Sequence, residues 1–318
     1  MHTFILAVAT TLLLRPSNAI TPPPSFTPGV KWQIEIQNTI STKAPLKPTD
    51  ALVWDIDLYH AVRNPSVIPY IRSTIPGATI ICYLNAGLAQ TSDCDYPLWR
   101  GSPSLGKPYS PEFPDEYWID IRNDTAVAQI KSRITLASEI GCDGVDPDNI
   151  DGYGDDDPTG FSLSAPDYIA FIRSLAAHAH TLTTTRGHTL LIGQKNGPDL
   201  TPSIAPFLDF AVLEDCKGLT GGDNFCSIFA EHYINKGKPV FSIEYPSSLG
   251  AGCPGEGITK DEFGRVCTED YSRFSTVLKK RGGSGELDGC TQYCGEGVGK
   301  GVVVTAVDIE ADGDECKL

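Results

Sequence analysis

An α/β fold of the (β/α)8 barrel type is predicted by three observations. Short β-branched runs alternate with amphipathic stretches through most of the chain. Six of those runs close on polar residues, as strands do when they deliver side chains to one end of a parallel sheet. The length of 318 residues fits one barrel of about 250 residues with extensions.

Taken in order, residues 4–14 (FILAVATTLLL) form an apolar stretch too short to span a bilayer. Arg15, Pro16 and then Ser17-Asn18-Ala19 follow, a small-x-small pattern suited to signal peptidase. Residues 1–19 are therefore read as a signal peptide and 20–30 as a Pro-rich linker. Residues 31–318 form a single barrel domain. No second apolar segment follows, so the expectation is a secreted, extracellular protein with no stable membrane insertion, acting as a monomer.

Strand-like runs occupy residues 31–36, 51–57, 79–85, 144–148, 189–196, 210–214, 239–245 and 301–307. Helix-like periodicity covers 125–140, with Val127, Ile130, Ile134, Ala137 and Ile140 ending at Gly141, and also 165–181 and, more briefly, 271–281. Residues 117–121 (YWIDI) read as a ninth strand at the edge of a loop excursion, and the Pro/Gly-rich 101–114 as a long loop over the site. A doubly wound sheet fits the strand count equally well. The Gly-rich phosphate turn usual in that fold is missing after the early strands, which favours the barrel.

Ten cysteines agree with export. Cys216 and Cys226 bracket a Gly-rich loop and Cys253 and Cys267 bracket another, so local bridges are expected in both, giving disulfide-containing loops on the barrel. The sequon Asn123-Asp124-Thr125 is compatible with secretion. The net charge of −15 argues against a nucleic-acid partner, whose phosphates require neutralising. Acidity alone is explained by solubility, but it also suits a cationic partner.

The acids at the strand ends carry the chemistry. Trp54-Asp55-Ile56-Asp57, Tyr83-Leu84-Asn85, Asp146-Pro147-Asp148, Gln194-Lys195-Asn196, Leu213-Glu214-Asp215 and Ile243-Glu244-Tyr245 each end an apolar run. A single acid there is commonly a cap for the next helix, but that does not explain the whole set. Glycoside hydrolysis needs a carboxylate nucleophile or base and a protonated carboxyl at the leaving oxygen. Asp146 and Asp148 share a face of their strand, and Glu214 at the tip of an apolar run is expected to have a raised pKa, as an acid catalyst requires. Lys195 is placed to hold one carboxylate ionised or to contact a sugar hydroxyl. Spacing does not choose among Asp146, Asp148, Glu214 and Glu244.

The runs VWDID (53–57), ICYLNAG (81–87), GCDGVDPDNIDGY (141–153), LEDC (213–216) and IEYP (243–246) occur in the same order in glycoside hydrolase family 114. From about Trp32 to Val307 the chain resembles the fungal endo-α-1,4-polygalactosaminidases of that family. The resemblance implies a (β/α)8 barrel cutting α-1,4-linked galactosamine in polymers such as galactosaminogalactan. It carries the nucleophile over to Asp148 on the fourth strand and the acid/base to Glu214 on the sixth. It also implies retention of configuration, for which the carboxyl groups stand about 5–5.5 Å apart. Asp55, Asp57, Tyr83, Asn85, Asp146, Asp151, Tyr153, Lys195, Asn196, Glu244 and Tyr245 are the expected substrate contacts, with Asp55, Asp57, Asp151 and Glu244 placed to pair with sugar ammonium groups. The chain departs from the family pattern at residues 178–188 and in the Gly- and Cys-rich tail beyond 282, neither of which touches the acid motifs.

Other chemistries fit less well. Residues 146–157 (DPDNIDGYGDDD) suggest calcium, but Ile150 and Asp151 stand where the EF-hand pattern needs a ligand and a glycine. No H-E-x-x-H pair and no G-x-S-x-G elbow occur, so no metal and no cofactor are expected. Trp54, Tyr83, Tyr153 and Tyr245 are candidates for stacking on sugar or for packing. The alternative functions are an α-galactosidase-like hydrolase of neutral sugar and a carbohydrate-binding barrel without catalysis; keeping both Asp148 and Glu214 argues against the second.

Overall fold

The computed structural model describes residues 22–24, 26–154, 156–249, 258–267, 273–280, 287–294, 301–308 and 316. The expected signal peptide lies outside them. Eight parallel strands run in chain order around one curled sheet: β1 (Trp32–Glu35), β2 (Val53–Asp57), β3 (Thr79–Asn85), β4 (Gly144–Asp148), β5 (Leu191–Lys195), β6 (Phe210–Glu214), β7 (Val240–Glu244) and β8 (Ser275–Leu278). Antiparallel strands Cys290–Tyr293 and Val302–Val304 extend the sheet past β8. At the seam, Lys279 Nζ donates to Ile34 O at 2.9 Å and Tyr293 Oη to Trp32 O at 2.8 Å.

Strand alternation divides the core in two. Trp32, Ile34, Val53, Ile81, Leu191, Phe210, Val212, Phe241, Ile243 and Val277 point into the barrel and pack on one another. Their neighbours Trp54, Ile80, Cys82, Val145, Ile192 and Leu213 point outward against the helices. Gly193 is a packing requirement: a Cβ there would lie 2.4 Å from the Phe210 ring. Phe26, in the expected linker, is buried against Phe210 and Phe241 at 5.3 and 5.6 Å, so that segment closes the barrel floor.

Two long helices form as the periodicity predicts. Asp124–Ile140 is capped by the Asn123 side chain, which accepts from Thr125 N and Ala126 N, and stops at Gly141 with φ 110°. Ala165–Ala179 begins with a Ser164/Asp167 capping box and buries Tyr168, Ile172, Leu175 and Ala176. Between Leu182 and Leu190 the helix-to-strand connection is a small turn, bridged by Thr183 and Thr189.

Several expectations need correction. The eighth barrel strand is Ser275–Leu278, not residues 301–307, of which Val302–Val304 forms an antiparallel appendage. The described part of 271–281 is therefore strand rather than helix. Its Ser-Thr-Val-Leu run has the β-branching a buried strand favours, and β7 supplies the ladder. Residues 101–114 are also more ordered than a loop: Leu105–Ser110 pairs with Phe113–Ile119, and Leu88–Gln90 completes a three-stranded antiparallel sheet. Pro108 is tolerated on an edge strand, and Pro114 near the start of its strand, ahead of the residues that pair with Leu88–Gln90. Cys216–Cys226 is bonded as expected, but Cys267 bonds Cys294 rather than Cys253. Cys82–Cys142 and Cys94–Cys316 are bonded as well. Among these residues no helix is long and apolar enough to cross a membrane.

Candidate active site

The carboxyl ends of β2 to β7 converge around one buried ammonium. Lys195, 2% exposed, places Nζ 3.5 Å from Glu214 Oε2, 3.6 Å from Asp148 Oδ1 and 3.8 Å from Asp146 Oδ2. Two oxygens that close to one nitrogen are no more than about 7 Å apart, which admits the spacing of a retaining glycosidase pair. Asp146 and Asp55 form the floor, with both carboxylates fully buried and lacking hydrogen bonds. Burial pushes the Asp146 carboxyl up to about 7 against the pull of Lys195. Burial, then the Asp146 charge, pushes Asp55 well above the usual range. Lys195 is opposed by burial too, but the surrounding carboxylates outweigh that and hold it charged.

Asp148 and Glu214 occupy the upper layer, with side chains 20% and 29% exposed. Asp148 Oδ2 accepts from Tyr83 Oη at 2.8 Å, and Oδ1 from Asn149 N at 2.8 Å. Glu214 accepts from Tyr245 Oη at 2.5 Å and from Asn196 Nδ2 at 3.3 Å, while its own N–H donates to Asn196 Oδ1 at 2.8 Å. The expected rise in the Glu214 pKa is not found. Burial alone would raise it, but Lys195 and the donors Tyr245 and Asn196 hold it below the usual glutamate value. The apolar strand alone predicts a rise, but the strands on either side bring the donors that reverse it.

The backbone is bent to make this set. Asn149, Asn196 and Asp215 each directly follow an acid or lysine at a strand end and take φ of 57°, 45° and 52°. Left-handed conformations cost a non-glycine residue about 1–3 kcal/mol, and they gather at functional sites. Gln194 secures one of these turns, donating to Asn196 O and Gly197 O while accepting from Tyr233 Oη at 2.7 Å. Gly87 allows another close approach: its N–H donates to Asp148 O, and a Cβ would stand 1.8 Å from Asn149 O. Gly87→Ala is expected to cost about 3 kcal/mol or more, since no rotamer relieves a clash between two backbones, and to lower activity through displacement of Asp148. Thermal melting and initial rates check both effects.

The remaining expected contacts divide. Asp151 lies in the same field, pushed up to about 6 by burial and then by Asp148. Tyr83 and Tyr245 are buried with hydroxyls on the two carboxylates. Asp57 caps the helix Leu58–Arg63, accepting from His60 N, and Asn85 Oδ1 accepts from Leu88 N and Asn149 Nδ2. Tyr153 packs half-buried against Tyr168, and Trp54 is fully buried on the outer face. Glu244 does not line the mouth. It follows Ser242 on the outward face of β7, accepts from Ser242 Oγ at 2.9 Å and is fully buried, because alternation gives the inward place to Tyr245. Beside it lies the single group of potential metal-binding atoms among the described residues, Cys216, Cys226 and Glu244, whose two sulfurs are bonded to each other.

Two walls escaped the sequence reading. A cleft of about 550 Å³ opens off Glu214, bounded by Asp199, Asp215, Asp223 and Phe225. On the Asp148 side stands the antiparallel sheet, whose Tyr109 is near enough for the charges of Asp148 and Glu214 to act on its hydroxyl. The signal present was an alternation of aromatic and acidic residues in 109–118, obscured by two prolines.

A parallel barrel with two partly exposed carboxylates astride a buried ammonium, at the carboxyl ends of its strands, defines a barrel glycosidase. The chain belongs to glycoside hydrolase family GH114, whose model matches residues 14–299. The structure of Aspergillus fumigatus Ega3 in complex with galactosamine is similar, with 30% identity and a TM-score of 0.69, covering 87% of this chain and 100% of that one. The glycoside hydrolase domain of PelA from Pseudomonas aeruginosa shares the fold at 13% identity and a TM-score of 0.54, covering 79% and 94%. Amy13B of Eubacterium rectale does so at 8% identity and a TM-score of 0.51, covering 91% and 74%. Curated proteins provide no match.

Proposed function

We propose that this glycoside hydrolase is a secreted, endo-acting and retaining enzyme that cleaves α-1,4-linked galactosamine within cationic polymers. The observation that carries the mechanism is Lys195 Nζ, set 3.6 Å from Asp148 and 3.5 Å from Glu214. The galactosamine bound in the related Ega3 structure supports the substrate class, and the net charge of −15 agrees with it.

Asp148 attacks the anomeric carbon while Glu214 gives a proton to the departing glycosidic oxygen, forming a covalent glycosyl-enzyme. Glu214 then takes a proton from water, which attacks the same carbon from the side the leaving group vacated. Two inversions give net retention. Tyr83 Oη and Asn149 N donate to the Asp148 carboxylate and Lys195 pairs with it, which fixes its position for the attack. Glu214 must begin protonated, yet Lys195, Tyr245 and Asn196 favour its charged form. The competent species therefore grows as pH falls from neutral, and activity is expected to rise toward mildly acidic pH.

The test is incubation of the purified protein with galactosaminogalactan, reading the released oligosaccharides by mass. Deacetylated polymer is expected to be cut into short oligomers, at rates that decline as salt screens the acidic mouth from sugar ammonium groups. Salt-independent turnover, or preference for fully acetylated polymer, contradicts the cationic substrate. Equal cleavage of neutral α-galactan favours the neutral-sugar hydrolase.

A further inference from the structure

The antiparallel sheet beside Asp148 carries side chains that the two-carboxylate mechanism does not use. Tyr109 and Phe113 remain 39% and 47% exposed, large values for aromatic rings beside a catalytic mouth. They touch at 5.8 Å between centroids, and Tyr109 rests edge-on against the buried Trp118 at 5.4 Å. Glu116 is two residues before Trp118 on the same strand and so shares its face, and Phe113 joins that face through Tyr109 at the hairpin end, where the register shifts. Its carboxylate accepts from Gln90 Nε2 at 2.6 Å, across a register that pairs Gln90 with Glu116.

The sheet is rigidly attached to the chemistry. Its first strand, Leu88–Gln90, starts three residues after β3, and the Ala86 and Gly87 N–H groups both donate to Asp148 O. Lys107 N donates to Thr159 O and Lys107 Nζ to Asp157 O, fastening the hairpin to the loop that follows β4. A Cβ at Gly152 would lie 2.3 Å from the Trp118 ring, so that loop is pressed against the same face. Burial, then the charges of Asp148, Asp151, Glu116 and Glu214, push the Tyr109 hydroxyl up to about 12, which locates it among the acids of the mouth.

We propose that this face is a hexosamine subsite, in which one sugar of the polymer lies against Tyr109 and Phe113 while Glu116 pairs with its ammonium. The inference rests on the amino-polymer reading above and adds where a neighbouring sugar is held. Aromatic rings suit this ligand because the apolar face of the sugar packs on them and the ammonium is attracted by their π-clouds. A carboxylate partly withdrawn from water gives a charge-assisted partner for that ammonium, which an acetamido group cannot match. On the other side of Asp148 and Glu214, the cleft by Asp199 and Phe225 receives the chain beyond the scissile bond.

Calorimetric titration of α-1,4-galactosamine hexamer into Glu214→Gln protein tests the subsite without turnover. Phe113→Ala and Glu116→Gln, each added to that background, are expected to weaken binding about tenfold. The Glu116→Gln loss is expected to vanish for the N-acetylated hexamer, whereas the Phe113→Ala loss remains. Melting temperatures equal to the parent's exclude unfolding as the cause. Dissociation constants within twofold across the series overturn the subsite, and so does failure of the parent to bind either hexamer. Failure of the wild type to cut the polymer, with the binding differences intact, overturns the polymer-cleaving reading and spares the subsite.

Discussion

Asp148→Asn is expected to lower kcat on polymer by about 10⁴-fold or more, because a neutral amide is a far weaker nucleophile than the carboxylate that bonds the anomeric carbon. Glu214→Gln is expected to lower it by about 10²–10⁴-fold, the usual worth of a positioned general acid. The two losses should differ in kind. A substrate whose leaving group needs no proton, such as a glycosyl fluoride, bypasses Glu214 in the first step and restores part of the rate. It does nothing for Asp148→Asn. Both replacements preserve shape, and Lys195 keeps at least one of its partners, so melting temperatures should move little. If Asp146→Asn abolishes turnover while Asp148→Asn leaves it near normal, the nucleophile has been misassigned.

Lys195→Met is expected to be the most destabilising single change in the site. It removes the ammonium within 4 Å of three carboxylates, and breaking a buried pair commonly costs about 3–5 kcal/mol. The sign of its pH dependence follows from the shifts. Lys195 has a raised pKa in the folded protein, so its contribution is complete at neutral pH and is lost only as pH rises through that higher value. Glu214 has a depressed pKa, so its contribution is present above the unfolded value and is lost as pH falls through the folded one. In the variant, burial of Glu214 is opposed only by the Tyr245 and Asn196 donors, Asp146 and Asp55 rise further without the ammonium, and the order reverses for the set. The folded protein then holds protons that the unfolded chain has released, and stability falls as pH rises from about 4 toward neutrality. The variant should therefore melt closest to wild type in acid. A gap that is constant with pH would mean that Lys195 supports packing rather than charge.

Much of this was legible in the sequence, for a physical reason. Seven barrel strands could be read because each is a short, apolar, β-branched run, and period-two alternation then put Asp146 and Asp148 on one face. The same alternation, applied to β7, would have put Glu244 outside and Tyr245 inside. Reading the dipeptide as a unit concealed it. The eighth strand was hidden because Ser275–Leu278 is only four residues long, embedded in polar sequence and dependent on β7 for its ladder. Glu214 shows a different limit. Its pKa depends on Lys195, Asn196 and Tyr245, three residues on other strands whose convergence is a property of the closed sheet. Tyr109 and Glu116 were missed for a related reason, since prolines suggested a loop where a small antiparallel sheet formed.

The proposed division of labour gives the covalent bond to Asp148 and the proton to Glu214. It is tested most directly by quenching the Glu214→Gln protein in acid during turnover of an α-galactosaminyl fluoride and mapping the digested protein by mass. With the first step rescued by the leaving group and the second slowed by the missing base, the glycosyl-enzyme should accumulate. One added galactosamine on Asp148 is the predicted result. An adduct on Asp146, or product of inverted configuration with no adduct, would contradict it.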